Sequence, residues 1–325
     1  MDLQADRADW LAALRTQRKL SEHTVENYGR DLALLLEFLK QEGVHEAQQV
    51  THLQIRKLAG RLHGEGQSPR SIARRLSAWR GFFEWLAQQE RALKRNPVDG
   101  VRAPRREKSL PKVLSPDDAV RVVSQSRPGA DAQAPDQLCN RAMFELLYSS
   151  GLRVSELAGL DVRQLKSAGG AEKYQSAGWL EDDHSEVIVT GKGNKMRRVP
   201  VGSHARQALA AWLAVRASQV IDPAPEHQAA LFINTRGRRI TPEVVQQRLR
   251  RHALALGIPA RVHPHMMRHC FASHVLQSSG DLRAVQEMLG HASIASTQVY
   301  TSLDFQHLAK VYDAAHPRAK KRDAE

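Results

Sequence analysis

The sequence lacks the features that would place it in a membrane, a secretory route or a disulfide-built scaffold. No run of about 18 apolar residues occurs, so no segment is long enough to cross a bilayer as a helix. The start, Met1-Asp2-Leu3-Gln4-Ala5-Asp6, has neither the basic residues nor the apolar stretch of a secretory signal. Cysteine is scarce: Cys139 and Cys270 are the only two, and without a CxxC spacing they build neither a disulfide framework nor a zinc ribbon. These absences predict a cytoplasmic protein with no membrane insertion. No internal repeat is visible.

Acidic charge is the next shortage. Against 48 Lys and Arg stand 35 Asp and Glu, a net charge of +13 in 325 residues. An excess of that size attracts polyanions, because phosphate contacts release condensed counterions. A merely soluble basic protein would carry the same charge, so the partner must be argued from motifs. With 42% hydrophobic residues the chain can bury a core, and its length accommodates two ordinary domains.

The first hundred residues read as helices only. Val25, Tyr28, Leu32, Leu35, Leu36 and Leu39 recur at three- and four-residue steps over 24–40, after Ser21 as an N-cap. A second helix is predicted over 51–62, broken at Gly64-Glu65-Gly66. A third begins after Pro69, with Ile72, Leu76, Trp79, Phe82, Phe83 and Leu86 inside. Arg70, Arg74, Arg75 and Arg80 fall outside, on a face nearly free of acids until Glu84. Such runs are usually solvated surface; here Arg70, Arg74 and Arg75 are expected to contact phosphate.

Asn96-Pro97 ends this block, and 101–114 carries Arg102, Arg105, Arg106, Lys108 and Lys112 with Pro104, Pro111 and a single acid, Glu107. Proline disfavours helix, so this is an extended basic linker, with Arg105, Arg106 and Lys108 placed to lie along a DNA backbone. Ser115-Pro116-Asp117-Asp118 then starts a helix with capping-box chemistry. The remainder is mixed. A helix over 140–149 buries Met143, Leu146 and Leu147 and stops at Gly151. A β-hairpin pairs 186–190 with 195–201 around Gly191-Lys192-Gly193-Asn194. Helices follow over 205–217, 242–256, 265–277, 282–289 and 293–300.

Pro264-His265-Met266-Met267-Arg268-His269 combines an imidazole and a guanidinium at helical spacing. Residues three apart share a helix face, so His265 and Arg268 are expected to point the same way. The pair suits a phosphate: arginine binds two oxygens at once and histidine moves a proton. His265 and His269 stand four apart as in HExxH, but Met266 occupies the place of that motif's glutamate and no carboxylate cluster supplies other ligands. Neither a metal nor another cofactor is expected. His263 and His274 read as structural or surface histidines, Cys270 as core, and Met266 and Met267 as packing.

Five segments occur in order: Gly151-Leu152-Arg153-Val154-Ser155-Glu156-Leu157, Thr190-Gly191-Lys192-Gly193, the His265 to His269 run, Leu289-Gly290-His291, and Tyr300. Taken singly, Arg153 reads as a surface ion-pair residue, Lys192 as an exposed turn lysine, His291 as a helix start and Tyr300 as core. Together they resemble the motif set of the tyrosine recombinase and integrase family, over essentially the whole chain. The resemblance implies that Arg153, Lys192, His265, Arg268 and His291 surround a scissile phosphate and that Tyr300 is the nucleophile. A tyrosine hydroxyl titrates near ~10, so forming phenolate at neutral pH costs roughly 4 kcal/mol. His265 is the expected base, Arg153 and Arg268 the clamp on the non-bridging oxygens, Lys192 the acid for the leaving 5′-oxygen, and His291 a further donor.

The implied fold is mainly α with a small antiparallel β-sheet. An all-helical N-terminal DNA-binding domain occupies 1–103, a basic linker 104–115, and an α+β catalytic domain 116–325. Ser279 to Gln286, Leu289 to Ala292 and the tail 303–319 are similar to the Xer group of this family. That implies action on a double-stranded DNA recombination site, a heterotetramer with a XerD-like paralogue, and control by an FtsK-like DNA translocase. Phe305, Leu308, Val311 and Tyr312 form an apolar stripe on which the tail could dock to a neighbouring subunit or to its own domain. The segment 166–183 is longer than the family's usual connection and reads as a surface insertion. A phage or transposon integrase would share the same chemistry. A non-catalytic DNA-binding protein and a metal-dependent nuclease are the competing classes.

Overall fold

The computed structural model describes residues 3–18, 20, 22–89, 93, 95–105, 114–165, 174–191, 196–258, 261–279 and 281–289. The chain divides into two compact units, Met1–Leu110 and Pro111–Glu325.

The first unit is helical: α1 Leu3–Thr16, α2 Glu22–Gln41, α3 His52–Gly64 and α4 Pro69–Gln88. Helix α1 was not separated by the sequence pattern, yet Leu3, Trp10 and Leu14 place one apolar stripe inward. Trp10 stacks on Tyr28 of α2 at 5.8 Å and meets the Phe82 ring of α4 edge-on at 5.7 Å, so one indole ties three helices together. The local chemistry at the helix starts is explicit. Thr51 and Gln54 form a reciprocal capping box at α3. Ser68 accepts from the Ser71 amide at α4, with Pro69 in its first turn. All six residues predicted inside α4 are fully buried.

The second unit begins with α5, Pro116–Ser124, capped by Ser115 Oγ on the Asp118 amide at 3.1 Å. Helix α6, Pro135–Ser150, starts five residues before the predicted Asn140 and is buried at every position from Ala142 to Ser150. Burying side chains such as Phe144, Leu146 and Leu147 contributes about 2 kcal/mol each, which makes α6 the axis of this unit. A short helix α7, Val154–Ala158, follows it. The sheet then runs in the order β1 Leu160–Asp161, β2 Gly178–Leu180, β3 Glu186–Thr190 and β4 Met196–Pro200. The hairpin is as expected, with Thr190 opposite Met196.

Two features of the sheet correct the sequence reading. β1 pairs parallel with β2, so the sheet is mixed rather than wholly antiparallel. The segment 166–183 is not all surface insertion: Gly178, Trp179 and Leu180 are buried and form β2. Buried Asp161 in β1 draws this region together, accepting from Tyr174 Oη at 2.8 Å and Arg239 Nη2 at 2.5 Å.

The unit continues with α8 Ser203–Arg216, α9 Pro225–Ala229, α10 Pro242–Ala255, α11 Pro264–Ser279 and α12 Leu282–Leu289. Phe271 and Val275 of α11 pack on Ala284, Val285, Met288 and Leu289 of α12. The predicted helix 293–300 and the apolar stripe of the tail lie outside the described residues.

Candidate active site

The site is organised where α6 ends. Gly151 terminates that helix with φ of +56°, a conformation open to glycine without strain. A Cβ there would stand 2.4 Å from the Phe271 ring, so the missing side chain also lets α11 approach. The Gly151 carbonyl accepts from Arg268 Nη1 at 2.6 Å, and Arg153 stands two residues further along as the N-cap of α7.

Arg153 is fixed by Glu156. Its amide donates to Glu156 Oε2 at 2.8 Å and its Nη1 to Oε1 at 2.7 Å. Glu156 is itself buried and receives a second guanidinium: Arg197 of β4 donates through Nη1 to Oε1 at 2.9 Å and through Nη2 to Oε2 at 2.7 Å. Burial pushes the Glu156 carboxyl up, but the bonds from Arg197 and Arg153 outweigh it and hold the group below the ordinary glutamate value. Arg197 Nε reaches on to the Met288 carbonyl at 3.1 Å.

Arg268 is buried, with Nη2 on the Leu289 carbonyl at 2.5 Å. The last carbonyls of a helix have no intrahelical partners. Here two of those of α12, at Met288 and Leu289, are each taken by an arginine. Burial, together with the positive charge of Arg153, pushes Arg268 down to about 10, so it stays charged at neutral pH. A guanidinium carries five N–H donors, and two carbonyl bonds do not exhaust it. Three guanidiniums around one carboxylate leave an excess of two positive charges, which suits a phosphate.

His265 and Arg268 part company in the structure. His265 is exposed and its ring meets that of His269 at 4.6 Å, whereas Arg268 points into the protein. His263 Nδ1 accepts from the Met266 amide at 3.1 Å at the start of α11, a structural role. Burial, with His269 nearby, pushes its pKa down, which keeps that acceptor lone pair free. His274 is buried and hydrogen-bonded to Tyr148 Oη at 2.9 Å, also structural. Among the described residues no group of three His, Cys, Asp or Glu could hold a metal ion. Lys192, His291 and Tyr300 lie outside the described residues.

Of the expected DNA contacts, Arg70 and Arg105 are exposed. Arg74 and Arg75 are instead engaged within the protein: both form ion pairs with buried Asp31 of α2, Arg75 at 3.4 Å with only 15% of its side chain exposed. Arg75 is therefore a helix-to-helix tie before it is a phosphate ligand. Arg106 and Lys108 lie outside the described residues. Sequence reasoning missed Glu156 and Arg197. The visible signal was an acid three residues after Arg153 and an arginine pair inside an otherwise apolar returning strand.

Comparison with known proteins gives a consistent result. The phage integrase family matches residues 112–307, and its N-terminal SAM-like domain matches residues 8–90. Tyrosine recombinase XerC of Ralstonia pickettii (strain 12J) is 55% identical over 317 residues, covering 97% of this chain and 94% of that protein. Tyrosine recombinase XerC of Pseudomonas aeruginosa (strain LESB58) is 44% identical over 323 residues, 98% of this chain and 97% of the relative. Among solved structures, a lambda integrase (75–356) dimer bound to a COC′ core site has the same fold, with a TM-score of 0.65 at 15% identity over 92% of this chain and 99% of that one. XerH site-specific recombinase bound to palindromic difH substrate, in a post-cleavage complex, gives 0.65 at 19% identity over 94% of this chain and 84% of that one. By family match and by near-full-length identity, this chain belongs to the phage integrase family of tyrosine recombinases.

Proposed function

We propose that this chain cleaves and rejoins double-stranded DNA at a specific site through a 3′-phosphotyrosyl bond to Tyr300. The observation that supports this most is the pairing of Arg153 and Arg268 at the end of α6, both immobilised and carrying charge in excess of Glu156. In the proposed reaction the Tyr300 oxygen attacks phosphorus, His265 takes the phenolic proton, and the bond to the 5′-oxygen breaks. Arg153 and Arg268 hold the non-bridging oxygens as negative charge builds on them, and their fixed geometry avoids reorganisation at that moment. His291 donates a further hydrogen bond, and Lys192 protonates the departing 5′-oxygen. A 5′-hydroxyl then attacks the phosphotyrosyl bond in the reverse sense, so the bond is conserved and neither ATP nor a metal is needed.

The helical unit, with Arg70, and the basic linker 104–115, with Arg105, Arg106 and Lys108, would follow the DNA backbone. At the finer level the chain would work as its XerC relatives are named. It would act with a XerD-like paralogue in a heterotetramer, under an FtsK-like translocase, to resolve chromosome dimers at cell division. Identity of 55% over nearly the full length supports this assignment. The test is incubation with a nicked recombination-site duplex in EDTA, read on a denaturing gel beside Tyr300→Phe. A shifted band that requires Tyr300 is expected. Its absence, even with the paralogue added, would leave a basic DNA-binding protein without catalysis.

A further inference from the structure

Arg197 lies outside the set of residues assigned to the phosphate, yet its guanidinium makes three hydrogen bonds among the groups that hold them. It is buried in β4, and all three of its nitrogens are used. Two are spread over both oxygens of Glu156, and Nε is on the Met288 carbonyl near the end of α12. Through Glu156 it reaches Arg153, whose amide and guanidinium are both held by the same carboxylate. Through Met288 it reaches the residue next to Leu289, whose carbonyl is held by Arg268. One planar fork therefore spans the returning strand of the hairpin, the start of α7 and the end of α12. A guanidinium suits this task because its donors are fixed in one plane and match a carboxylate two-to-two.

We propose that Arg197 is a positioning residue for strand cleavage, setting the spacing of Arg153 against Arg268 by locking Glu156 to the end of α12. This rests on the reading of Arg153 and Arg268 as phosphate ligands. A bland alternative exists: Arg197 serves only to neutralise a buried carboxylate. The two differ at Arg197→Lys, which still neutralises Glu156 but cannot span both of its oxygens and the Met288 carbonyl. Removing both charges together tests whether the cluster as a whole is needed. Replacing a buried ion pair by neutral groups is often harmless to stability, whereas removing one partner is not. Positioning, however, is lost in either case.

The test compares wild type, Arg197→Lys, the double variant Arg197→Met with Glu156→Gln, and Arg153→Ala. Each is assayed by thermal melting, by gel shift on an intact recombination site, and by single-turnover covalent-complex formation on a nicked duplex. The double variant is expected to melt close to wild type and bind DNA equally, but to form the covalent complex about 10²-fold more slowly, the loss typical of a displacement near 1 Å. Arg197→Lys keeps the charge, but its single nitrogen cannot span both carboxylate oxygens and the Met288 carbonyl. At least about a tenfold slowing is expected there too. Wild-type cleavage by the double variant overturns the proposal. If the double variant does not fold, wild-type cleavage by Arg197→Lys overturns it instead. Arg153→Ala separates the two readings. Full activity in that variant defeats Arg153 as a phosphate ligand, whereas a slow Arg153→Ala beside fast Arg197 variants defeats only the role given to Arg197.

Discussion

Two buried carboxylates, Asp31 in the helical unit and Glu156 in the catalytic unit, each face a pair of arginines. Asp31 is bonded unevenly: Arg74 Nη1 donates to one oxygen, Arg75 Nε approaches the other only at 3.4 Å, and among the described residues Arg75 Nη1 is buried without a hydrogen-bond partner. Burial pushes the Asp31 carboxyl up further than Arg74 and Arg75 pull it down. Glu156 is bonded at both oxygens from two guanidiniums and a backbone amide, all between 2.7 and 2.9 Å, and is held low despite similar burial. The number of arginines is the same, so the number of hydrogen bonds, four on Glu156 against two on Asp31, decides the sign. The surroundings differ as well. Arg268, tied to carbonyls rather than to an acid, adds uncompensated charge beside Glu156. One cluster joins α2 to α4; the other gathers positive charge where α6 ends.

Removing Arg268 should erase that distinction with the largest effect. Arg268→Ala is expected to slow covalent-complex formation by about 10³-fold, the upper range for loss of one charge-stabilising donor. Single-turnover kinetics at saturating DNA measure it, and a loss below tenfold would put Arg268 on the same footing as the Asp31 pair.

Neutralising the carboxylates comes next. Glu156→Gln leaves buried Arg197 without a counter-charge and should cost about 3 kcal/mol at neutral pH. Asp31→Asn should change stability by no more than about 1 kcal/mol. The pH signs are opposite. Glu156 titrates low in the folded protein, so its contribution is present above roughly pH 4 to 5 and is lost as pH falls through its folded value. Asp31 titrates high, so the folded state gains relative stability as pH falls through its folded value. Melting from pH 7 to pH 3.5 should therefore show the Glu156→Gln deficit shrinking on acidification. Any relative gain of Asp31→Asn should shrink over the same range. Parallel pH curves for both variants would refute the contrast.

The smallest effect is expected at exposed Arg70. Arg70→Ala should weaken DNA binding uniformly and reduce the salt slope of log K by about 0.9, with melting unchanged. An unchanged slope would remove Arg70 from the DNA-facing surface.

Much of this was legible beforehand because it is local. The α4 stripe, the Ser115 and Thr51 starts, Gly151 and the hairpin each announce themselves within a few residues. The motif order from Arg153 to Arg268 pointed to one centre; in the structure Arg268 bonds the Gly151 carbonyl two residues before Arg153, close enough for the charge of Arg153 to lower its pKa. What stayed hidden depends on partners far apart in sequence. Arg75 reads as solvent-facing until Asp31, 44 residues earlier, is brought beneath it. Arg197 carries no local signal of its role, because its partner Glu156 lies 41 residues earlier. β2 is three residues long, too short to show a period inside a polar segment. Helical spacing put His265 with Arg268, but packing against Gly151 and Leu289 drew only the arginine inward.

The central claim is that the Glu156 cluster serves chemistry while the Asp31 cluster serves the fold. It is tested most directly by single-turnover cleavage of a nicked site at saturating DNA with Arg153→Ala and Arg74→Ala side by side. The account predicts that Arg153→Ala binds DNA normally and cleaves at least about 10²-fold more slowly, while Arg74→Ala cleaves bound DNA at the wild-type rate. Equal losses in the two variants, or full cleavage by Arg153→Ala, would contradict it.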